Sequence, residues 1–391
     1  MPYYHRLGEL PRKRHIVFRY ADGRLLAEEL MGNNGFSGPS ALLYHLRPPT
    51  SFRTVKPFGG AAAWAQEASP ALGHRHFVTP RIGGSTSMFT GRTPLLFNRD
   101  VAVSFARVTT TDDHFYRNGQ GDELVYVSAG SWVLESVMGV IAFGPGDYLV
   151  VPRGIVHRYR IADGPLCCLF LESAGSVRIP KHYRNPVGQM LESAPYSERD
   201  LRRPEALPVH DETGDFPILI KRDNRFVEAV LDHHPFDVVG WDGAYYPWAF
   251  NIRDFEPRVG RVHLPPPVHQ TFEGDGFVVC SFVPRLYDFD PEAVPAPYHH
   301  SNCMTDEVLF YASSEFMSRK GIGFGSITLH PDGLPHGPQP GRIEASIGQK
   351  STDELAVMLD TFRPLRVSEQ AAAIEDVAYP LSWLPADETS S

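Results

Sequence analysis

The chain has 391 residues, 42% of them apolar and 21% charged, with a formal net charge of −9. That length suits two globular domains, each long enough to bury a core, and the acidic balance argues against nucleic acid, whose phosphates need a basic footprint. No run reaches the roughly 18 apolar residues of a membrane span, and the start, MPYYHRLGEL, lacks a signal-peptide core; a cytoplasmic protein is expected.

Residues 1–95 carry short strands and turns and read as a β-rich extension packed on the core. His74 and His76 in GHRHF form an HxH pair with no carboxylate or third ligand at suitable spacing, so they are expected as an alternating strand pair. Residues 96–180 read as one compact β unit and 181–215 as a polar, proline-bearing connector. Residues 216–391 read as a second β unit. The 34 glycines and 35 prolines fall between β-rich runs such as SWVLESV and DYLVVP, the punctuation of many short strands. One helix is expected, over Thr352–Phe362, with Leu355, Met358, Leu359 and Phe362 on one face and Thr352 or Asp353 as its cap. The tail ADETSS is expected to be disordered. The four cysteines, Cys167, Cys168, Cys280 and Cys303, show no CxxC spacing, so neither disulfides nor a zinc-thiolate site is expected, and Cys303 reads as a small buried residue.

One long-range repeat carries chemistry. PGDYLVVPRGIVH, residues 145–157, has the form PG-x5-P-x-G-x2-H, and GSITLHPDGLPH, residues 325–336, repeats it without the first proline. Each copy follows a stretch of the form aromatic-x-Asn-x4-Glu: YRNGQGDE from Tyr116 to Glu123, and HSNCMTDE from His300 to Glu307. These segments resemble the two motifs of the cupin family, a jelly-roll β-barrel. The resemblance implies a mainly β bicupin: two barrels, an N-terminal β extension and few helices. In the second copy His300, Glu307 and His336 offer two imidazoles and one carboxylate, a facial set that suits non-haem Fe(II) and leaves positions open for substrate and O2. The first copy has Tyr116 where the second has His300 and keeps only Glu123 and His157, so it is expected to be a degenerate, structural barrel.

The stretches PYHHSNCMTDE and LPHGP, supported by FDVVGWDGAYYPWAFN, YRNPVGQMLESAPYSERD and GDELVYVSAG, are similar to the homogentisate 1,2-dioxygenase family. That resemblance implies Fe(II) on His300, Glu307 and His336, a small aromatic substrate, O2, and a trimer or hexamer. The reaction it implies is extradiol-type opening of homogentisate, or a related hydroquinone, to a product such as maleylacetoacetate. The family's spacing would put the carboxylate at Asp306, six residues after His300, whereas the spacing from Asn302 and the following Val-Leu-Phe strand favours Glu307. By the same resemblance His330 faces the substrate, and Phe316 and Tyr298 belong to its pocket. The family's base falls on a proline of RVHLPPPVHQTF; His263 and His269 flank it, and His269 is favoured, with His330 as the alternative catalytic base. Two other classes remain open on the residues alone: a Mn- or Zn-dependent cupin isomerase or decarboxylase, and a non-enzymatic bicupin.

Overall fold

The computed structural model describes residues 3–384, apart from 33, 36, 60–63, 69–71, 265 and 315. The fold is mainly β, a bicupin. Among the described residues the helices are short, such as Arg342–Ser346 and Glu369–Ala372. None is long and apolar enough to cross a membrane. The ADETSS tail lies outside the described residues.

Alternation of side chains along a strand decides what each barrel encloses. The first barrel is built on two long antiparallel strands, Asp122–Ser136 and His157–Ser173, extended by Val101–Val108 and Asp147–Val151. The second is a six-stranded sheet in the order Gln270–Gly274, Phe277–Phe282, Ala356–Thr361, Asp306–Tyr311, Ser326–His330 and Arg75–Val78. One face of it, with Val308, Phe310, Ile327, Val357 and Leu359, joins the main core shared with the first barrel. Phe310 meets Phe105 and Tyr126 there, at centroid distances of 6.2 and 5.8 Å. On the opposite face Leu309, Tyr311, Ala356 and Met358 form a separate apolar cluster with Phe316.

The two motif copies fold alike. Gly146 and Gly325 take φ of +89° and +80°, and Gly154 and Gly333 each take +82°. A left-handed residue is needed before and after the strand in each copy, and glycine takes that conformation at no steric cost. The chain is more interwoven than its linear order suggests. Phe52–Phe58 pairs with Arg225–His233 beside the first barrel, while Arg75–Val78 edges the second. Thr213–Arg222 and Trp248–Asn251, within the segment assigned from sequence to the second unit, pair with strands of the first barrel.

The expected helix at Thr352–Phe362 is instead a strand, Ala356–Thr361, held between Phe277–Phe282 and Asp306–Tyr311. Both of its faces are buried, one in the core and one against an apolar cavity wall, so period-two alternation is invisible in the sequence. Phe362, placed on the helix's buried face, is 51% exposed. Cys303, expected to be buried, is exposed in the loop before Asp306.

The strand assignment makes Leu359 a core residue and Phe362 a surface one. Leu359→Ala should cost about 2–5 kcal/mol in chemical denaturation, whereas Phe362→Ser should stay within about 0.5 kcal/mol. Equal losses at both positions would favour a helix.

Candidate metal centre and its cavity

Strand parity selects the carboxylate. Along Asp306–Tyr311, Val308 and Phe310 face the core, so Glu307 shares the opposite face with Leu309. Asp306 points the other way and accepts main-chain hydrogen bonds from Asp332, at 2.9 Å, and Leu365, at 2.6 Å. Its role is to pin two turns.

His300 and His336 are brought together by a two-way main-chain bridge. Each donates its N–H to the other's carbonyl, at 2.8 and 2.9 Å. The glycine of Pro-His-Gly-Pro is required here, because a Cβ on Gly337 would lie 2.5 Å from Nδ1 and 2.7 Å from Cα of His299. The imidazole rings end 4.2 Å apart. Glu307 reaches both, with Oε1 3.3 Å from Nε2 of His336 and Oε2 3.8 Å from Nε2 of His300. One ligand atom from each of the three residues lies within 4.8 Å of the others, and among the described residues no other such cluster of metal-binding groups forms.

The donor set fits a metal ion. His336 is buried; its Nδ1 has no partner, and its Nε2 meets only the Glu307 carboxylate, at 3.3 Å. Buried polar atoms are almost always well paired, so an imidazole answered only by the carboxylate beside it calls for a partner of another kind. Burial alone would raise the pKa of Glu307, but hydrogen bonds with His300, His330 and His336 hold it well below the usual carboxylate range. An ionised carboxylate between imidazole nitrogens is the state a cation needs.

His330 sits elsewhere than the resemblance implied. It is fully buried behind Glu307, with Nδ1 2.8 Å from Oε1 of Glu307 and Nε2 3.1 Å from the Tyr379 hydroxyl. It does not line the cavity described below. Burial, aided by the charge of Arg319, lowers its pKa to about 3. A neutral ring that donates from Nδ1 and accepts from Tyr379 matches both contacts. His330 therefore holds the Glu307 carboxylate from behind and lies outside the cavity lining; hydrogen-bonded supports of this kind orient carboxylates that bind metals. Of the HxH pair only His76 lies in a strand, where it bonds Ser326 Oγ at 2.9 Å; His74 lies just before it, with its ring 6.1 Å from His336.

His300 and Glu307 open onto a cavity of about 400 Å³, bordered also by His269, Phe282, Tyr298, Phe316, Arg319 and Asp360. Tyr298 stands at its exposed rim. Phe282 packs on His269 at 4.7 Å and meets Phe316 edge-on at 5.8 Å. Burial, with Arg285 second, lowers the pKa of His269 to about 3, and its Nδ1 has no partner. Asp360 lies opposite Glu307 in the strand register. Burial and then the charge of Glu307 raise its pKa, and its Oδ1 is also unpartnered. Sequence spacing gave no sign of Asp360, Arg319 or Tyr379, because register and long-range folding bring them to the site.

In the first barrel a guanidinium occupies the equivalent place. Arg92 grips Glu123 through Nη1 at 2.7 Å and Nη2 at 3.0 Å. Tyr116 and Asn118 donate to the same carboxylate at 3.1 and 2.9 Å. Arg92 also lies 3.9 Å over Phe170, and Phe89 stacks on Tyr116 at 4.3 Å. Rings of Phe89, Tyr116 and Tyr159 surround His157. Burial would raise the pKa of Glu123, but Arg92 outweighs it and holds the group at about 2.

Metal analysis of the purified chain should therefore give one tightly held ion, not two. Glu307→Ala should lose it. Asp306→Ala should keep it while lowering stability, and the reverse outcome would place the ligand one residue earlier. Arg92→Met should cost about 3–5 kcal/mol by leaving a buried carboxylate unpaired. Because the folded pKa of Glu123 is depressed from 4.5 to about 2, its pairing stabilises the fold above about pH 4.5 and is lost as pH falls toward 2. Acid titration of the wild type, followed by near-ultraviolet circular dichroism, should show that loss.

A sequence profile described as "Homogentisate 1,2-dioxygenase N-terminal" matches residues 85–252. A protein of Saccharolobus solfataricus named "Putative dioxygenase" is 44% identical over 386 residues, spanning 98% of this chain and 99% of its own. The homogentisate 1,2-dioxygenase of Rhodopseudomonas palustris strain HaA2 is 30% identical over 399 residues, spanning 93% of this chain and 87% of its own. Among solved structures, a cupin 2 conserved barrel domain protein from Leptotrichia buccalis aligns over 76% of this chain and 99% of its own, at 9% identity and a TM-score of 0.34. With relatives aligned over nearly its whole length, the chain belongs to the homogentisate 1,2-dioxygenase family of oxygenases.

Proposed function

We propose that the protein is an Fe(II)-dependent, extradiol-type ring-cleaving dioxygenase acting on homogentisate or a related hydroquinone. The observation that carries the reading is His336, a buried imidazole with no partner at Nδ1 and only the Glu307 carboxylate at Nε2, set beside His300 where Glu307 and His300 meet a cavity sized for one substituted ring. Two imidazoles and one carboxylate suit ferrous iron and leave coordination positions open. Bound there, the ion would acidify a phenol and bring O2 to the ring.

The chain's own residues supply the rest. Phe282 and Phe316 offer apolar walls for the ring and exclude water. His330, backed by Tyr379, fixes the orientation of Glu307. The unpartnered Nδ1 of His269 is the atom assigned to accept the phenolic proton. With its pKa near 3 that nitrogen is a weak base, so it acts only on a phenol already acidified by the ion. Phe316, aligned with a tyrosine of the family's pocket, takes one hydroxyl away from the substrate, which is why the class is drawn as wide as substituted hydroquinones.

Protein loaded anaerobically with Fe(II) should consume O2 with at least one of homogentisate, gentisate and methylhydroquinone, and yield a ring-opened product. Substrate rearranged without O2 uptake would point to a cupin isomerase, and inertness toward the whole panel would overturn the proposal. His269→Ala should keep its iron and lose roughly 10²–10⁴-fold in turnover. Since His269 is already neutral above about pH 3, the wild-type rate should show no inflection from it between about pH 5 and 8. A variant within a few-fold of the parent would leave His269 a structural role.

A further inference from the structure

Three arginines border the cavity, and they differ in how their charge is answered. Arg285 is paired with Glu354 at 2.7 Å. Arg258 is exposed to solvent. Arg319 is only 4% exposed, and among the described residues no carboxylate lies within salt-bridge distance of it. Its Nη1 donates to the carbonyl of Gly337 at 2.8 Å and to Ser318 Oγ at 3.1 Å, while Nε has no partner. The indole of Trp383 lies 5.7 Å beneath it.

A buried guanidinium without an anion is costly, and proteins rarely keep one without a use. Neutral carbonyls and a hydroxyl satisfy part of its fork but leave its charge unanswered. The acidic groups on the same cavity, Asp288, Glu307, Glu354 and Asp360, do not pair with it: Glu354 is taken by Arg285, and Glu307 is engaged by three imidazoles. A divalent ion at the three-residue centre would add positive charge and leave the cavity cationic overall. Guanidinium matches a carboxylate in shape, through parallel N–H donors that a metal ion does not offer.

We infer that Arg319 is the specificity-determining residue for an anionic arm on the substrate: it binds a side-chain carboxylate away from the metal and so selects carboxylated over neutral hydroquinones. This rests on the proposed dioxygenase reading for its substrate, but not for its test. Arg319 also braces the loop after His336 through Gly337, and that structural role is what the test has to separate.

Binding of phenylacetate and of its neutral isostere phenylacetamide is measured by calorimetry on Fe(II)-loaded protein under argon, with no turnover. The wild type should prefer phenylacetate by roughly 10–100-fold. Arg319→Gln should lose that preference while phenylacetamide binding and iron content stay unchanged. Arg319→Lys, which keeps the charge but not the fork, should weaken phenylacetate alone, by less than the glutamine change does. Equal binding of the two ligands by the wild type overturns the inference. So does a preference that survives in Arg319→Gln, which would give the carboxylate to the metal. Equal losses for both ligands would reduce Arg319 to a brace. If the glutamine variant does not fold, the lysine variant decides: unchanged phenylacetate binding, or a matching loss for phenylacetamide, rejects the role. Failure of the dioxygenase reading would appear separately, as absent O2 uptake with preference intact.

Discussion

The second barrel is organised around one buried, ionised carboxylate. Enclosing a lone carboxylate costs several kcal/mol unless positive charge or hydrogen bonds answer it. Glu307 is answered by imidazole nitrogens, those of His300 and His336 in front and the Nδ1 of His330 behind. Its side is set by the alternation of Asp306–Tyr311, which turns Val308 and Phe310 into the core and Glu307 toward the cavity. Tyr379 holds His330, and His330 holds Glu307, so the ligand is oriented from behind before any ion arrives.

The same constraint is met differently in the two halves. Both copies keep the left-handed glycines, the strand between them and the inward glutamate. In the first, Arg92 supplies the compensating charge, and Phe89, Tyr116, Tyr159 and Phe170 pack around it. A guanidinium cannot dissociate or bind O2, so that barrel becomes core. In the second, imidazoles replace the arginine and the neighbouring volume stays open. One frame thus yields a packed core and an open cavity by changing what faces one glutamate.

Legibility followed locality. The motif glycines, Glu123, Glu307, His157 and His336 could be read because their offsets are set by single turns and strands. Asp306 against Glu307 was the harder choice, yet strand parity was already visible in Val-Leu-Phe. The strand Ala356–Thr361 was misread as a helix because both faces begin apolar, Ala356 and Met358 toward the cavity and Val357 and Leu359 toward the core, and only Asp360 breaks the run. His330 carried a family expectation that depends on side-chain direction, and here it points behind the carboxylate. Arg92, Arg319, Asp360 and Tyr379 reach their partners across long stretches of chain, and no spacing rule announces them.

Two segments remote in sequence from the motif close on the same place. Arg75–Val78 adds the edge strand beside Ser326–His330, and His74 next to it stacks against Trp383 at 4.8 Å. From the far end, Trp383 donates to the Gly337 carbonyl at 3.1 Å, and Tyr379 reaches His330. Gly337, which follows His336, is therefore held by Arg319 and by the C-terminal segment together. Geometry at the centre thus depends on contacts more than 40 residues away in sequence. A cupin motif lifted out of this setting would keep its three ligand residues but not the second row that aims them. The candidate cluster spans only His300 to His336, yet the contacts that aim it come from residues 74–78 and Tyr379–Trp383.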